Sequence, residues 1–304
     1  MALTYTGRRN LAGTLSGDAS SGTLTLFDTL LNNSERKILA ARRWTFMMRQ
    51  FTVTTAAQTQ FYQLPANCGR VFSVYLTQGT TRHTPKEAPS REFWEKLNQS
   101  TNFYSDTPEW WYQFDGQIGL WPAPSSASLT VSINALRKYK DLSIADYTTG
   151  TVDAISNSDE TVTGSGTTWT ASMVGRWLRV TPSNTATANG DGLWYEIASR
   201  TSNTEIELTK DYTGTSLTAG AGAAYIIGEV GLLPEEYQIL PIYDALRQYF
   251  ASVKPEAERA KAYDNLYKEH YQMLSRDWGS MSKSPVLDSG GHDGIPNPNF
   301  HVTL

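Results

Sequence analysis

The sequence predicts an α+β protein: a helical bundle with an antiparallel β region, and an all-β domain, a sandwich or small barrel, inserted into it. Three observations carry that prediction. Apolar residues recur at helical spacing early in the chain and again between Leu240 and Leu274. Short runs rich in Val, Ile, Thr, Tyr and Trp, separated by turn residues, fill the middle. Between 149 and 228 the composition shifts to Gly and Thr, and it shifts back before Leu233. The boundaries that follow are an N-terminal arm at 1–23, a core made of 24–148 and 229–279, the inserted β domain at 149–228, and an extended C-terminal tail at 280–304.

In chain order, residues 1–23 are rich in Gly, Ser and Thr and read as an extended arm. Residues 24–46 read as a helix, with Leu26, Leu30, Ile38 and Ala41 on one face and a break or fresh cap at Asn33-Ser34. A strand is expected at 51–59. A turn at Pro65-Ala66-Asn67 then feeds a strand at 70–76. Ser90 caps a short helix through Phe93 and Trp94. Residues 108–112, 117–121 and 128–136 read as consecutive antiparallel strands, with Phe114-Asp115-Gly116 as a hairpin turn. The inserted domain offers strands at 151–155, 161–163, 177–180, 194–198, 205–208 and 223–227. Pro234 suits a first helical position, with Glu235 and Glu236 in the positive first turn. That helix is expected to reach Val253 with a bend at Pro241. A second helix runs to Trp278 and carries Tyr263, Tyr267, Tyr271 and Leu274 as one stripe. The tail is polar and holds Pro285, Pro296 and Pro298, yet ends in Phe300, Val302 and Leu304, which alternate as in an added strand.

The totals narrow the function classes. The chain has 304 residues, of which 39% are hydrophobic and 12% aromatic, enough to pack a core and too many for a disordered chain. Its net charge of -4 gives no basic stripe for nucleic acid. The densest basic cluster, Arg36, Lys37, Arg42 and Arg43, is interleaved with Ile38, Leu39 and Ala41 and reads as the wet face of a helix. Cys68 is the only cysteine, so no internal disulfide and no multi-thiolate zinc site can form. No apolar stretch is long enough to span a membrane, and no signal peptide opens the chain. A soluble protein made in a reducing cytoplasm is expected.

Chemistry is sparse. His83, His270, His292 and His301 have no spaced partners of a metal-binding kind. Gly164-Ser165-Gly166 is followed by no lysine and reads as a turn. Glu109 and Asp115 flank an aromatic strand pair, where a glycosidase dyad is imaginable, but Asp115-Gly116 is ordinary turn chemistry. Asn189-Gly190-Asp191-Gly192 lacks the ligand ladder of a calcium loop. No catalytic, cofactor-binding or metal residue is expected, and the chain is not read as an enzyme. Tryptophans are the stronger signal. Trp110, Trp111, Trp121, Trp169, Trp177 and Trp194 lie in or beside β segments. Trp121, Trp177 and Trp194 are assigned to cores. Trp110 and Trp111 point to opposite faces of a strand. They are expected, with Tyr263, Tyr267 and Tyr271, at a subunit interface.

The order of segments then becomes informative. Arg43-Trp44 leads to Tyr62-Gln63-Leu64-Pro65, then to Arg70-Val71 with Val74, and to Pro108 with Trp110 to Tyr112. Ile118-Gly119-Leu120-Trp121-Pro122 with Pro124 follows, and after the β module Leu233-Pro234-Glu235-Glu236-Tyr237 opens the helix pair with Ala245 and Tyr249. Over 24–278 this resembles the head-to-tail adaptor (connector) proteins of tailed bacteriophages. The resemblance implies a structural virion protein of the neck, assembled as a dodecameric homo-oligomer ring between the portal protein and the tail or nozzle proteins. DNA would pass through its channel during ejection without specific binding. No catalysis, cofactor or membrane is implied. The tail, with Phe300, Val302 and Leu304, would dock on the portal, and the β domain would decorate the outside of the ring. Two other readings remain: another neck or tail component, such as a stopper or tail-tube protein, and a carbohydrate-binding adhesin that reads glycans through exposed tryptophans. The C-terminal helix pair favours the adaptor, because tail-tube proteins are mostly β.

Overall fold

The computed structural model describes residues 3–99, 103–182 and 189–279. The chain opens with helices α1 (Tyr5–Ser16) and α2 (Ser21–Ala40). Strands β1 (Met48–Thr54), β2 (Phe61–Gln63), β3 (Cys68–Gln78), β4 (Thr81–His83) and β5 (Lys86–Glu87) follow, then helix α3 (Arg91–Leu97). Strands β6 (Trp110–Phe114), β7 (Gln117–Trp121) and β8 (Thr130–Arg137) complete the first half. The β unit contains β9 (Thr151–Ile155), β10 (Thr161–Ser165), β11 (Trp177–Val180), β12 (Trp194–Ser202), β13 (Glu205–Leu208) and β14 (Tyr225–Gly228). Helices α4 (Leu240–Ser252) and α5 (Ala257–Trp278) end the described chain. The fold is α+β.

The segment read as an extended arm is instead α1 and the first turn of α2. The Thr4 hydroxyl caps α1 by accepting from Gly7 N at 3.1 Å, and Gly17, at φ 73°, closes it. Its own sequence is a weak helix former, so its stability comes from tertiary anchors. Ala12 is fully buried among Phe27 and Leu31 of α2 and Ile242, Leu246 and Phe250 of α4. Tyr5 N donates to the Glu229 carbonyl at 2.8 Å. Helix α2 runs through Asn33-Ser34 without a break. Ser34 is buried there, and its hydroxyl donates to Asp244 Oδ2 on α4 at 2.8 Å, so the polar side chain bonds another helix rather than its own backbone.

Two four-stranded sheets pack face to face. One has the order β1-β8-β3-β4, the other β2-β7-β6-β5. Their shared core holds Phe51, Val74, Leu76, Val131 and Ile133 from the first sheet and Tyr62, Trp111, Ile118 and Leu120 from the second. Strands β6 and β7 form the expected hairpin about Asp115-Gly116, with Trp110 opposite Trp121. Strand β8 does not continue that meander. It crosses to the other sheet and lies between β1 and β3, because its alternating Val131, Ile133 and Ala135 are completely buried there.

The β unit is one antiparallel sheet of order β14-β11-β12-β13-β10-β9. Backbone bridges from Val152 to Ala223 and from Ile155 to Leu217 bring its two edges together, so the sheet curls towards a barrel. Its core is separate from the others and includes Val162, Trp169, Leu178, Ile206, Tyr212 and Ile227. The Trp169 indole N–H donates to the Tyr225 hydroxyl at 2.9 Å.

A 3-10 turn, Glu235–Tyr237, precedes α4, and α4 begins at Leu240 with Pro241 in its first turn. The expected single bent helix is therefore two elements. Proline has no N–H to donate and fits where the first-turn amides are unpaired anyway.

Candidate functional site

An aromatic ridge covers the outer face of the β2-β7-β6-β5 sheet. Alternation along β6 turns Trp111 inward, where it is 2% exposed, and places Trp110, Tyr112 and Phe114 outward. Helix α3 lies across these rings. Ser90 caps it by accepting from Phe93 N at 3.2 Å. Phe93 meets Trp110 edge-on at 4.8 Å, and Trp94 stacks on Tyr112 at 5.7 Å. Gly119 makes that approach possible, because a Cβ there would lie 2.5 Å from the Trp94 ring. Phe61 and Phe114 flank Trp94 at a groove of about 200 Å³, and both stay exposed. Phe103, 54% exposed, leans on Trp121 at 5.7 Å. These exposed phenylalanines were not singled out from the sequence. The alternation of 110–114 held the signal for Phe114, whereas Phe61 and Phe103 join the ridge only through sheet pairing and chain return.

The tyrosine stripe of α5 faces inward. Tyr263 stacks on Phe250 at 5.8 Å with an interplanar angle of 3°. Tyr267 stacks on Tyr271, which meets the buried Trp44 edge-on at 6.0 Å. Arg247 sits 5.5 Å from the Tyr267 ring centre, and burial, with the Asp244 charge, raises the Tyr267 hydroxyl to about 12. All three rings are half-buried against their own chain. Trp111 likewise fills a core and offers no surface to a neighbour. Of the residues expected at a subunit interface, Trp110 belongs to the ridge. Phe300, Val302 and Leu304 lie outside the described residues.

Two buried ionic groups tie the elements together. Arg8 of α1, 2% exposed, pairs with Glu35 of α2, which is fully buried, and Glu35 Oε1 also accepts from Leu232 N at 2.9 Å. Glu229 accepts from Ser143 N at 2.7 Å, Ile144 N at 2.8 Å and Lys140 Nζ at 2.9 Å. Burial pushes the Glu229 carboxyl up, but these donors outweigh it and hold its pKa below the ordinary value. Near this junction, between the β unit and the sandwich, a cleft of about 160 Å³ is lined by Arg49, Arg137, Lys138, Arg176, Glu196 and Glu229 among others.

Of the histidines read from the sequence, His292 and His301 lie outside the described residues. Glu109 and Asp115 stand at opposite ends of β6, about 20 Å apart by strand rise, too far to act on one glycosidic bond. Asp191 accepts from Leu193 N at 3.0 Å and from the Tyr195 hydroxyl. His270 Nδ1 lies 3.1 Å from the Leu266 carbonyl, with its ring edge-on to Tyr243 at 5.2 Å. Among the described residues no three His, Cys, Asp or Glu side chains gather as a metal site. No helix among them is long and apolar enough to cross a membrane.

A family model described as SU10 adaptor protein matches residues 4–287. The chain belongs to the SU10 adaptor protein family. No curated protein matches it. The SU10 adaptor match begins at Thr4, the cap of α1, and so takes in the segment read from sequence as an arm. It also runs through the β unit.

Proposed function

We propose that the chain is a structural virion protein of a tailed bacteriophage: a head-to-tail adaptor that assembles as a ring between portal and tail and leaves a channel for DNA. Membership of the SU10 adaptor protein family is the observation that carries this reading. The aromatic ridge supports it, because contiguous exposed apolar surface rimmed by charge marks protein contact sites. Arg91, 5.7 Å from the Phe114 ring, and Glu95 supply that rim. In the proposed ring, Phe61, Phe103 and Phe114 meet the neighbouring subunit, with Trp110 behind them. The α5 tyrosines stiffen the subunit instead. The role needs no catalysis and no cofactor. Its partners are the portal protein, tail or nozzle proteins and further copies of itself, and DNA crosses the ring without specific contacts. The tail residues Phe300, Val302 and Leu304 remain the proposed portal-docking arm.

The test is reconstitution. Purified chain mixed with purified portal rings is followed by sedimentation velocity and by electron microscopy. A faster-sedimenting complex with a second ring on one face of the portal is expected. The double variant Phe61→Ser/Phe114→Ser should fold normally and lower ring occupancy at least tenfold. A chain that leaves the portal sedimentation unchanged, at concentrations well above those in an infected cell, sinks the proposal.

A further inference from the structure

The cleft between the β unit and the sandwich contains more positive charge than its carboxylates balance. Glu196 is held by Arg49, whose Nη1 is 3.0 Å from both carboxylate oxygens. Glu229 is held by Lys140 and two backbone amides. Among the described residues, that leaves Arg176, Arg137 and Lys138 on the cleft wall without an acidic partner in contact. Arg176 is only 8% exposed, and its Nε is fully buried with no hydrogen-bond partner among the described residues. Its backbone is fixed on both sides: Arg176 N donates to the Met173 carbonyl at 3.0 Å, and its carbonyl accepts from Ile197 N at 2.8 Å. Arg137 ends β8 opposite Cys68. Burial lowers its pKa; the nearby Glu196 charge raises it and Arg49 lowers it again, so its charge is only partly compensated.

A buried guanidinium nitrogen left without an acceptor is costly, and a nearby counter-charge offsets that cost. The geometry points to an oxyanion site in this cleft, with Arg176 and Arg137 as the ligand-holding groups and a carboxylate- or phosphate-sized anion as the ligand. A cleft of about 160 Å³ accommodates such a group together with water. Arginine suits it because the planar fork presents paired donors to two oxygens of one anion. The wall is shared: Arg137 comes from the sandwich and Arg176 from the β unit, so a bound anion ties the two together alongside the Arg49–Glu196 pair. The anion is either free in solution or an aspartate or glutamate side chain of a second copy. This inference does not rest on the ring proposal, since a free anion would bind the single chain.

The test is titration of the full chain with sodium phosphate at constant ionic strength in chloride, read by calorimetry and by Tm. Saturable binding and a rise in Tm are expected for the wild type. Arg176→Gln and Arg137→Gln should each weaken phosphate binding about 10- to 100-fold, and Arg137→Lys should weaken it less than Arg137→Gln. Lys96→Gln, on α3 and outside this wall, should leave it unchanged. A second arm measures self-association by sedimentation. If the natural ligand is a carboxylate of another copy, phosphate and Arg176→Gln both reduce association of a chain that otherwise self-associates. A response that never saturates, or one that Arg176→Gln and Arg137→Gln both leave intact with no effect on self-association, overturns the proposal. Should Arg176→Gln fail to fold, the variants of the less buried Arg137 decide it alone.

Discussion

Gly231 stands where no side chain fits. A Cβ on it would lie 1.7 Å from Arg8 Nη2 and 2.3 Å from Glu35 Oε1. The residue therefore lets the chain entering the C-terminal helices pass against a buried ion pair. Breaking such a pair leaves a charge without its partner in a low-dielectric site, which costs more than the intact pair contributes. Gly231→Ala should destabilise by about 3 kcal/mol or more, read as a lower urea midpoint at unchanged m. Gly22→Ala, with open space around a helical Cβ, should be neutral or stabilising. Glu35→Leu alone should cost about 3–5 kcal/mol, and Arg8→Met added to it should recover part of that loss. Equal loss in the single and double variants would show that Glu35 matters through its bond to Leu232 N rather than through the pair.

Among the elements, the β unit has its own core and closely spaced ends. Tyr147 and Ile227 exchange both backbone hydrogen bonds, at 2.8 and 2.9 Å, so a short linker can replace everything between 148 and 229. A deletion variant joined in this way should remain soluble and keep its helical circular dichroism, because the helical and sandwich cores contain no residue from 149–228. A molten or insoluble product would show that the Arg49–Glu196 contact and its surroundings are needed for folding. The same separation explains what could be read from the sequence. Strands β9, β11 and β13 match the expected bounds, because alternation with turn residues on both sides is a local signal. The end of α5 at Trp278 was legible for the same reason, since the stripe and the following Gly279 are both local. Helix α1 was not legible. Its anchors, Glu35 and the Glu229 carbonyl, are distant in sequence, and its polar composition carries no helical stripe. The placement of β8 between β1 and β3 depends on which sheet can bury Val131 and Ile133, which no local pattern states. The same holds for the cleft: no local pattern marks Arg176 as buried, because its surroundings come from β12 and from Arg137 of β8. The ridge was half visible, because Trp110 and Trp111 must face opposite ways, but only the fold shows which of them is outside.

At the scale of the whole molecule, acid should unfold the protein, and Glu229 should set much of the steepness. Its folded pKa lies below the ordinary 4.5 despite burial, through Ser143 N, Lys140 and Ile144 N. Exposed carboxylates act in the same direction: the Thr23 hydroxyl and the Ser20 amide take Asp18 to about 2, Lys268 lowers Asp264, and the Tyr237 hydroxyl lowers Asp277. A carboxyl with a depressed folded pKa binds fewer protons folded than unfolded. Its contribution is complete above the unfolded value and is lost as pH falls through the folded one. Stability should therefore be nearly flat above pH 5 and fall between 4.5 and about 2. Asp146 works the other way. Burial raises its pKa against the pull of the Thr4 and Thr6 hydroxyls, and its Oδ1 is buried without a hydrogen-bond partner among the described residues. Its ionised form is disfavoured in the fold, so it contributes stability at low pH that is lost as pH rises through its folded value. Two variants separate the opposing effects. Glu229→Gln should cost about 1.5–3 kcal/mol at pH 7, and its difference from wild type should shrink towards pH 3 as the wild-type carboxylate is protonated. Asp146→Asn, which keeps an acceptor for Thr4, should be neutral or stabilising at pH 7. Urea midpoints measured from pH 7 to pH 3 read both. A Glu229→Gln curve parallel to wild type over that range would mean that the carboxylate charge at the junction contributes nothing and that its hydrogen bonds could be made by any acceptor.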